Sequence, residues 1–298
     1  MPLKNIRSGA LIDFRNLIAI CCILNAWQAY LLRGQWFTLG QYSEYFSLYP
    51  IVPNDSNKYL VIFSPAVHGI DLPSQFSGQT IPELGGPAYE IEHDPYIFSS
   101  LINEWERKHI RGRLLEPRIN ILFRSLNVAV QASSIPDTNW GSIFDYGARL
   151  MQWVSAFEIL ARPSINQNVS KENVLNLIGR FPFSCKNLKY KRYIVSKRNS
   201  IVRRGNLSQC LCHQIYKARH DFTHGNPVTS KSVFPWYKTQ RYPLNYFAPL
   251  IYKILLICYL GIHPNKSIYE IANLPYEQFK SIRGLEGALI KSTSDISA

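Results

Sequence analysis

One segment, Leu244–Leu260, constrains the fold more than any other feature of this 298-residue sequence. It is long enough for a helix, and its apolar side chains occur nearly all round instead of on one face. A helix of this kind is stable where other elements cover every side. The segment contains Pro249 and Lys253 and is shorter than the roughly 20 apolar residues that a membrane span requires. The pattern therefore predicts the central helix of a packed bundle.

Other segments have the periodicity of helices with one apolar face. They are residues 95–109, 117–133, 145–160, 170–178 and a segment that ends at Gly225. Ser170 is a suitable N-cap, and Gly225 tolerates the left-handed backbone that often ends a helix. The apolar stripe of the last segment consists of Leu211, Ile215, Ala218 and Phe222. The second half of the chain is therefore predicted to be an α-helical bundle.

The first part of the chain shows strand and loop patterns instead. The runs Gln35–Leu39 and Tyr59–Phe63 are aromatic and β-branched, whereas Pro and Gly recur from Ser64 to Pro95. We therefore expect an α+β chain in which a smaller β-rich or mixed module precedes an all-α bundle. The predicted parts are an N-terminal module at 1–116, the bundle at 117–262 and an extension at 263–298.

A second apolar run, Leu17–Leu32, could be mistaken for a membrane segment or a signal peptide. It contains Asn25 and Gln28, follows Asp13, and precedes no small-residue cleavage site. We interpret it as a buried core element. The sequence thus predicts a cytoplasmic protein with no membrane partner.

The six cysteines have neither the spacing of a secreted disulfide scaffold nor paired CxxC motifs. A reduced, cytoplasmic setting is the simpler interpretation. Cys210, Cys212 and His213 are conceivable metal ligands, but they lie on a predicted helix and lack an evident fourth partner. We therefore expect no metal and no cofactor.

The positive charge of the chain is confined to its second half. The sequence carries 33 Lys and Arg against 20 Asp and Glu, a net charge of +13. Residues 1–133 are balanced, whereas residues 134–298 carry 22 basic and 9 acidic side chains. Such a field attracts polyanions, and the candidates are RNA, DNA or an anionic membrane surface.

A polar motif lies at the end of the helix that stops at Gly225. Arg219 precedes His224 by five positions, a polar residue follows the arginine, and Gly-Asn follows the histidine. Alone this spacing is weak evidence, because a His-Gly pair can simply be a C-cap. A Trp-Val-Ser-Ala-Phe-Glu-Ile-Leu helix (153–160) lies upstream. Together these features resemble the HEPN superfamily, and especially its Apea-like branch.

The resemblance covers about residues 117–262 and implies an all-α bundle with an Arg-x4-6-His motif. Many active members are metal-independent endoribonucleases of toxin pairs, phage-defence proteins and RNA-guided nucleases, and they usually act as dimers. It implies a bacterial defence or toxin-type effector that cleaves tRNA or single-stranded RNA as a homodimer. Residues 1–116 match nothing in the family, and a trigger or antitoxin could bind there. Because many HEPN domains only bind nucleotides or partners, a non-catalytic binding module is the alternative.

The resemblance also implies roles for individual residues. Arg219 would bind the scissile phosphate, and His224 would transfer protons to give a 2′,3′-cyclic phosphate and a 5′-hydroxyl. The predicted supporting residues are His220, Glu158, Asp221 and Asn226. Glu158 matches a common family position, although a surface carboxylate paired to a nearby base is an equal alternative.

Helix geometry makes a separate prediction about assembly. Positions five apart on an α-helix are separated by about 140° around the axis and about 7.5 Å along it. Arg219 and His224 therefore do not share a face of one helix. If two copies pack these helices across a two-fold axis, the arginine of one can approach the histidine of the other. This predicts a composite site at a homodimer interface.

Two segments are candidates for RNA contact. The first is a basic run, residues 186–204, with eight bases and no acid. Its predicted RNA-binding residues are Lys189, Lys191, Arg192, Lys197, Arg198, Arg203 and Arg204. The second, residues 231–242, interleaves aromatic and basic side chains in the way that suits stacking on single-stranded bases. The plainer alternative is a solvated loop followed by aromatic pieces of the core.

Overall fold

The structure is a computed structural model that describes most of the chain. The described residues are 8–33, 51–53, 60–62, 93–113, 116–134, 143–164, 167–198, 201–236, 242–262 and 276–293. The helices are α1 Ser8–Arg33, α2 Pro95–His109, α3 Pro117–Ser134, α4 Ile143–Leu160, α5 Lys171–Gly179, α6 Lys186–Tyr190, α7 Leu207–Thr223, α8 Ser230–Val233, α9 Leu244–Leu260 and α10 Tyr276–Ser292. The strands are β1 Ile51–Pro53, β2 Leu60–Ile62, β3 Tyr193–Arg198 and β4 Ile201–Gly205.

The expected α+β fold with a β-rich or mixed N-terminal module is wrong, because the described part of the chain is mostly helical. In its first 116 residues, the described strands are β1 and β2, which form one short antiparallel pair. The apolar run near the N-terminus belongs to the long helix α1, whose side chains join a helical core. The predicted strand at 35–39 and most of the predicted loop at 64–95 lie outside the described residues.

The helices predicted from periodicity are confirmed. Those expected at 95–109, 117–133, 145–160 and 170–178 correspond to α2, α3, α4 and α5, and their ends differ from prediction by two residues at most. Ser170 is the N-cap of α5, where its hydroxyl accepts a hydrogen bond from the Asn173 N–H. The spacing of apolar residues therefore located these elements well.

Helix α9 is the centre of the molecule, as its composition predicts. Every residue from Phe247 to Ile257 is buried, and the helix packs against α1, α4, α5 and α7. It ends at Gly261, whose φ of 68° is the left-handed conformation of a C-cap glycine. The helices α1, α4, α5 and α7 thus share a core with it.

A buried ion pair explains how α9 accommodates a lysine. The Lys253 ammonium is fully buried and lies 2.8 Å from Oδ2 of Asp94. It also donates a 2.7 Å hydrogen bond to Oε1 of Gln28 on α1. The other carboxylate oxygen of Asp94 accepts from the N–H groups of Tyr96 and Ile97, which caps α2. One buried charge pair thus joins three helices.

Helix α1 packs against α2, α3, α9 and α10 and contributes to the same apolar core as the later helices. Among the described residues, its segment Gly9–Leu32 is the one helix long and apolar enough to cross a membrane by length and composition. Somewhat more than half of its most apolar window is buried within the protein. Cytoplasmic location and the division at residues 116 and 262 stay predictions.

The basic run contains a short helix and a hairpin. Glu286, buried on α10, accepts hydrogen bonds from the backbone N–H of Ser184 and of Cys185 and from the Ser184 hydroxyl, and so anchors the start of α6. Strands β3 and β4 then pair antiparallel, with a register irregularity between Ile194 and Ser196. The hairpin packs on α7, so the charged segment leads directly into the helix that carries the motif.

Candidate functional site

The motif helix α7 is fixed firmly at its start. Asn206 is its N-cap: the Asn206 side chain accepts from the Gln209 N–H, and the Gln209 side chain accepts from the Asn206 N–H, each at 2.9 Å. This reciprocal pair satisfies two helix-end donors. Gln209 also donates to the carbonyl of Leu175 on α5. The start of α7 is thereby tied to the neighbouring helix.

Near its C-terminal end, α7 packs closely against α4 at the Phe222 ring. Of its predicted apolar stripe, Leu211, Ile215 and Ala218 are buried and Phe222 is half-buried. A Cβ atom at Gly147 of α4 would lie only 2.4 Å from Cδ1 of Phe222. The absence of a side chain at Gly147 therefore lets α7 approach α4 at the motif.

The helix ends where the sequence predicts. His224 is the C-cap residue, its N–H donates to the His220 carbonyl at 3.1 Å, and Gly225 follows with a φ of 68°. The Thr223 hydroxyl donates to the carbonyl of Arg219 at 2.9 Å. The Asn226 amide donates to Oδ1 of Asp221 at 3.1 Å, which braces the turn that follows.

The two histidines of the motif form one exposed pair. The ring centroids of His220 and His224 lie 4.3 Å apart, and both side chains are exposed. Neither imidazole makes a hydrogen bond to another residue in the described part of the chain. Both rings are therefore open to a ligand.

Arg219 lies near a different pair of side chains. Burial, together with the nearby Cys212 thiol and Glu158 carboxylate, raises the pKa of Tyr216 far above its usual range, and Arg219 opposes this shift. Tyr216 Oη is buried and has no hydrogen-bond partner of ordinary geometry in the described residues, although Glu158 interacts with it electrostatically. Arg219 and Glu158 thus share the surroundings of Tyr216. Sequence reasoning missed Tyr216, whose signal was its place one turn before Arg219.

One chain does not bring the two predicted catalytic side chains together. Arg219 is half-buried, and no hydrogen bond or ion pair links its guanidinium to another described side chain. The ring of His224 contacts His220 instead. The geometry therefore leaves an arginine and a histidine pair as separate groups at one helix end.

The basic run is mostly exposed in the described residues. Lys189, Lys191, Arg192 and Arg204 face solvent. Arg203 instead forms an ion pair with Glu172 and donates to Oδ1 of Asn176 at 3.1 Å, both on α5. The side chains of Lys197 and Arg198 lie outside the described residues. Four of the predicted RNA-binding cations are therefore available to a ligand, whereas Arg203 is engaged by side chains of α5.

The aromatic segment that follows the motif is partly core. Tyr242 is buried, and Trp236 packs against the apolar core. Tyr237, Lys238 and Arg241 lie outside the described residues. Tyr242 is therefore not accessible for stacking on a base, and for this residue the plainer alternative holds.

The cysteine and histidine group on α7 is embedded in the fold. Cys210 and Cys212 are buried, and burial raises the pKa of Cys210 to about 11. Partial burial and the charges of Lys171 and Lys217 lower the pKa of His213 to about 4, and its Nδ1 lies 3.3 Å from the Lys171 ammonium. No group of three His, Cys, Asp or Glu side chains suited to a metal ion occurs in the described residues.

Comparison with known proteins found no relative of this chain. No family model, no curated protein and no solved structure matches the chain.

Proposed function

We propose that this protein is a metal-independent endoribonuclease of the HEPN type that acts as a homodimer. The observation that carries the proposal is the exposed His220–His224 pair at the end of α7. His220 directly follows the half-buried Arg219 in the sequence, and His224 lies five residues after it. Histidines open to solvent suit the binding and cleavage of a phosphodiester when they lie beside an arginine that forms no ion pair with the described residues. A toxin-type or phage-defence role, with a trigger or antitoxin bound by residues 1–116, belongs to the same proposal.

The proposed reaction needs a base, an acid and a cation. His224 accepts the proton of an RNA 2′-hydroxyl, whose oxygen attacks the adjacent phosphorus while the bond to the 5′-oxygen breaks. A protonated imidazole, His220 or the recycled His224, gives a proton to that leaving oxygen. The products are a 2′,3′-cyclic phosphate and a 5′-hydroxyl. The planar guanidinium of Arg219 stabilises negative charge on the phosphoryl oxygens in the transition state.

The supporting residues act on this arginine and on the turn. Glu158 and Arg219 both act electrostatically on Tyr216, and in the proposed site Glu158 is a nearby countercharge for the guanidinium. The Asn226–Asp221 hydrogen bond holds the turn after His224. Because Arg219 and His224 lie about 140° apart around one helix, a second copy that supplies the missing partner completes the proposed site.

The test is cleavage of tRNA and single-stranded RNA by the purified protein in the presence of EDTA. We expect His224→Ala and Arg219→Ala to abolish cleavage, because losing the general base costs about 10² to 10⁴-fold in rate and losing the arginine removes the charge stabilisation. His213→Ala on the same helix and Arg124→Ala on the exposed side of α3 are matched controls that should keep activity. Circular dichroism should show all four variants folded. Full activity in either motif variant would contradict the mechanism.

A non-catalytic nucleic-acid-binding module is the second candidate. It is favoured by the exposed cations of the basic run, which do not depend on the motif. Under this alternative the wild type binds RNA in a salt-dependent manner but yields no new 5′-hydroxyl ends. The same preparation therefore distinguishes the two functions.

A further inference from the structure

The β3–β4 hairpin exposes apolar side chains on its outward face. Ile194 is 53% exposed and Val202 is 42% exposed, while their neighbours Tyr193 and Val195 are buried. Tyr190, the last residue of α6, is 62% exposed just before the hairpin. The inward face of the hairpin packs on α7, whereas these outward apolar groups are exposed in the part of the chain that the structure describes.

Cations are interleaved with these apolar groups. Arg204 is exposed and lies directly opposite Ile194 in the strand register, so both project from the same face. The Lys189 ammonium lies 5.3 Å from the centroid of the Tyr190 ring. Arg192 is exposed between Tyr190 and the first strand, whereas the exposed Lys191 has its ammonium 5.4 Å from the centroid of the Tyr193 ring. No acidic residue occurs from 186 to 204, so the face is complementary to a polyanion.

We propose that this face, formed by Ile194, Val202 and Arg204 of the hairpin with Tyr190 and Arg192 directly before it, is a platform for single-stranded RNA. The inference rests on the proposed ribonuclease function and specifies the form of RNA that the enzyme takes. A single strand exposes flat bases and phosphates alternately along its length, and the platform alternates apolar and cationic side chains. A base stacks on the Tyr190 ring, another packs on the Ile194 and Val202 side chains, and the cations neutralise the intervening phosphates.

The arrangement favours RNA over an anionic membrane. A membrane-binding face buries a contiguous apolar layer and keeps its cations at the rim. Arg204 lies opposite Ile194 on this face, so inserting Ile194 into a membrane would also insert the Arg204 side chain, at a large desolvation cost. A double helix is also disfavoured, because its bases are stacked on one another and cannot lie on Tyr190.

The test measures binding in the full-length His224→Ala protein, which leaves RNA intact. Fluorescence anisotropy compares a short oligouridine with an RNA duplex of equal length at several salt concentrations. Tyr190→Ala should weaken oligouridine binding about tenfold and leave duplex binding within about twofold, because it removes one stacked base. Arg204→Gln should weaken binding to both probes and reduce the salt slope by about 0.7 to 0.9. Ile194→Ser should also weaken oligouridine binding. Its matched control Ile110→Ser, at a similarly exposed isoleucine, and the control Arg124→Gln for Arg204→Gln should bind as the parent does.

Each outcome decides one of the two proposals. Equal losses for oligouridine and duplex in Tyr190→Ala, or no loss, would overturn the platform. Ile194-dependent binding to phosphatidylglycerol vesicles, without binding to oligouridine, would overturn it in favour of a membrane surface. If the wild type fails to cut RNA but oligouridine binding depends on Tyr190, the platform stands and the catalytic proposal falls. If the wild type cuts RNA and Tyr190→Ala binds oligouridine normally, only the platform falls.

Discussion

Lys253 is a charged residue in the middle of the most apolar helix, and its neighbours determine whether the core is stable. Its ammonium meets Asp94 and Gln28 away from solvent. Removing one partner of a buried pair leaves a charge without compensation, whereas removing both can be nearly neutral. The free energy that the Lys253–Asp94 pair contributes to folding therefore has to be measured with both residues changed, singly and together.

A double-mutant cycle tests this contact. Lys253→Met should lower the free energy of unfolding by about 3 to 5 kcal/mol, because Asp94 then remains buried without its cation. Asp94→Asn keeps an N-cap for α2 but leaves the lysine unpaired. The double variant should be more stable than the sum of the single losses predicts, by at least about 1 kcal/mol in urea unfolding. Additive losses would show that the two charges do not interact.

At the scale of elements, the approach of α7 to α4 depends on Gly147. Gly147→Ala should destabilise the protein by about 1 to 3 kcal/mol and reduce RNA cleavage, because the new methyl group overlaps the Phe222 ring beside the motif. Gly9→Ala, in a helix with no atom within 4 Å of the added carbon, should be neutral or stabilising by up to about 1 kcal/mol. Thermal unfolding and cleavage rates measure both effects.

A second substitution separates the ring contact from a general helix effect. Phe222→Ala removes Cγ, Cδ1 and Cε1, the atoms that the methyl group meets, so Gly147→Ala should cost less stability in a Phe222→Ala background than in the wild type. An equal cost in both backgrounds, or an unchanged stability in Gly147→Ala alone, would mean that this contact does not determine the helix spacing.

The elements differ in how far the sequence could predict them. Helices with a long apolar period, such as α4 and α9, are specified locally, so their bounds agree with prediction. The hairpin was missed because its β-branched residues lie among cations, and the charge concealed the alternation of Tyr193, Ile194 and Val195. The N-terminal segment was wrongly predicted to be β-rich because the prediction relied on two short aromatic runs and not on the long apolar segment that forms α1.

Within the site, the sequence indicated the helix end but not its surroundings. The Arg219–His224 motif and Gly225 are local and were recognised. The nearness of Glu158 to Tyr216 requires two helices to pack, and the Asp94–Lys253 pair joins residues far apart in the chain. Such contacts follow from tertiary packing, which no local pattern encodes.

At the scale of the whole molecule, the separation of Arg219 from His224 makes assembly testable. If each site combines Arg219 of one copy with His224 of its partner, mixing inactive Arg219→Ala with inactive His224→Ala restores one intact site in every mixed dimer. Random exchange makes half of the dimers mixed, so about a quarter of wild-type activity should return. Each variant incubated alone should stay at background. Mass measurement on differently tagged chains confirms that the copies exchange.

The converse results are equally informative about the site. With exchange verified, activity that remains at background would mean that both residues act within one chain or that both sites of the dimer are needed together. The two explanations predict different behaviour for the wild type, because a site formed within one chain is active in a monomer and a site that needs the dimer is not. Sedimentation of active wild-type protein at the concentration used for cleavage therefore decides between them. An active monomer would contradict the composite site, whereas activity that rises with dimer content would retain it.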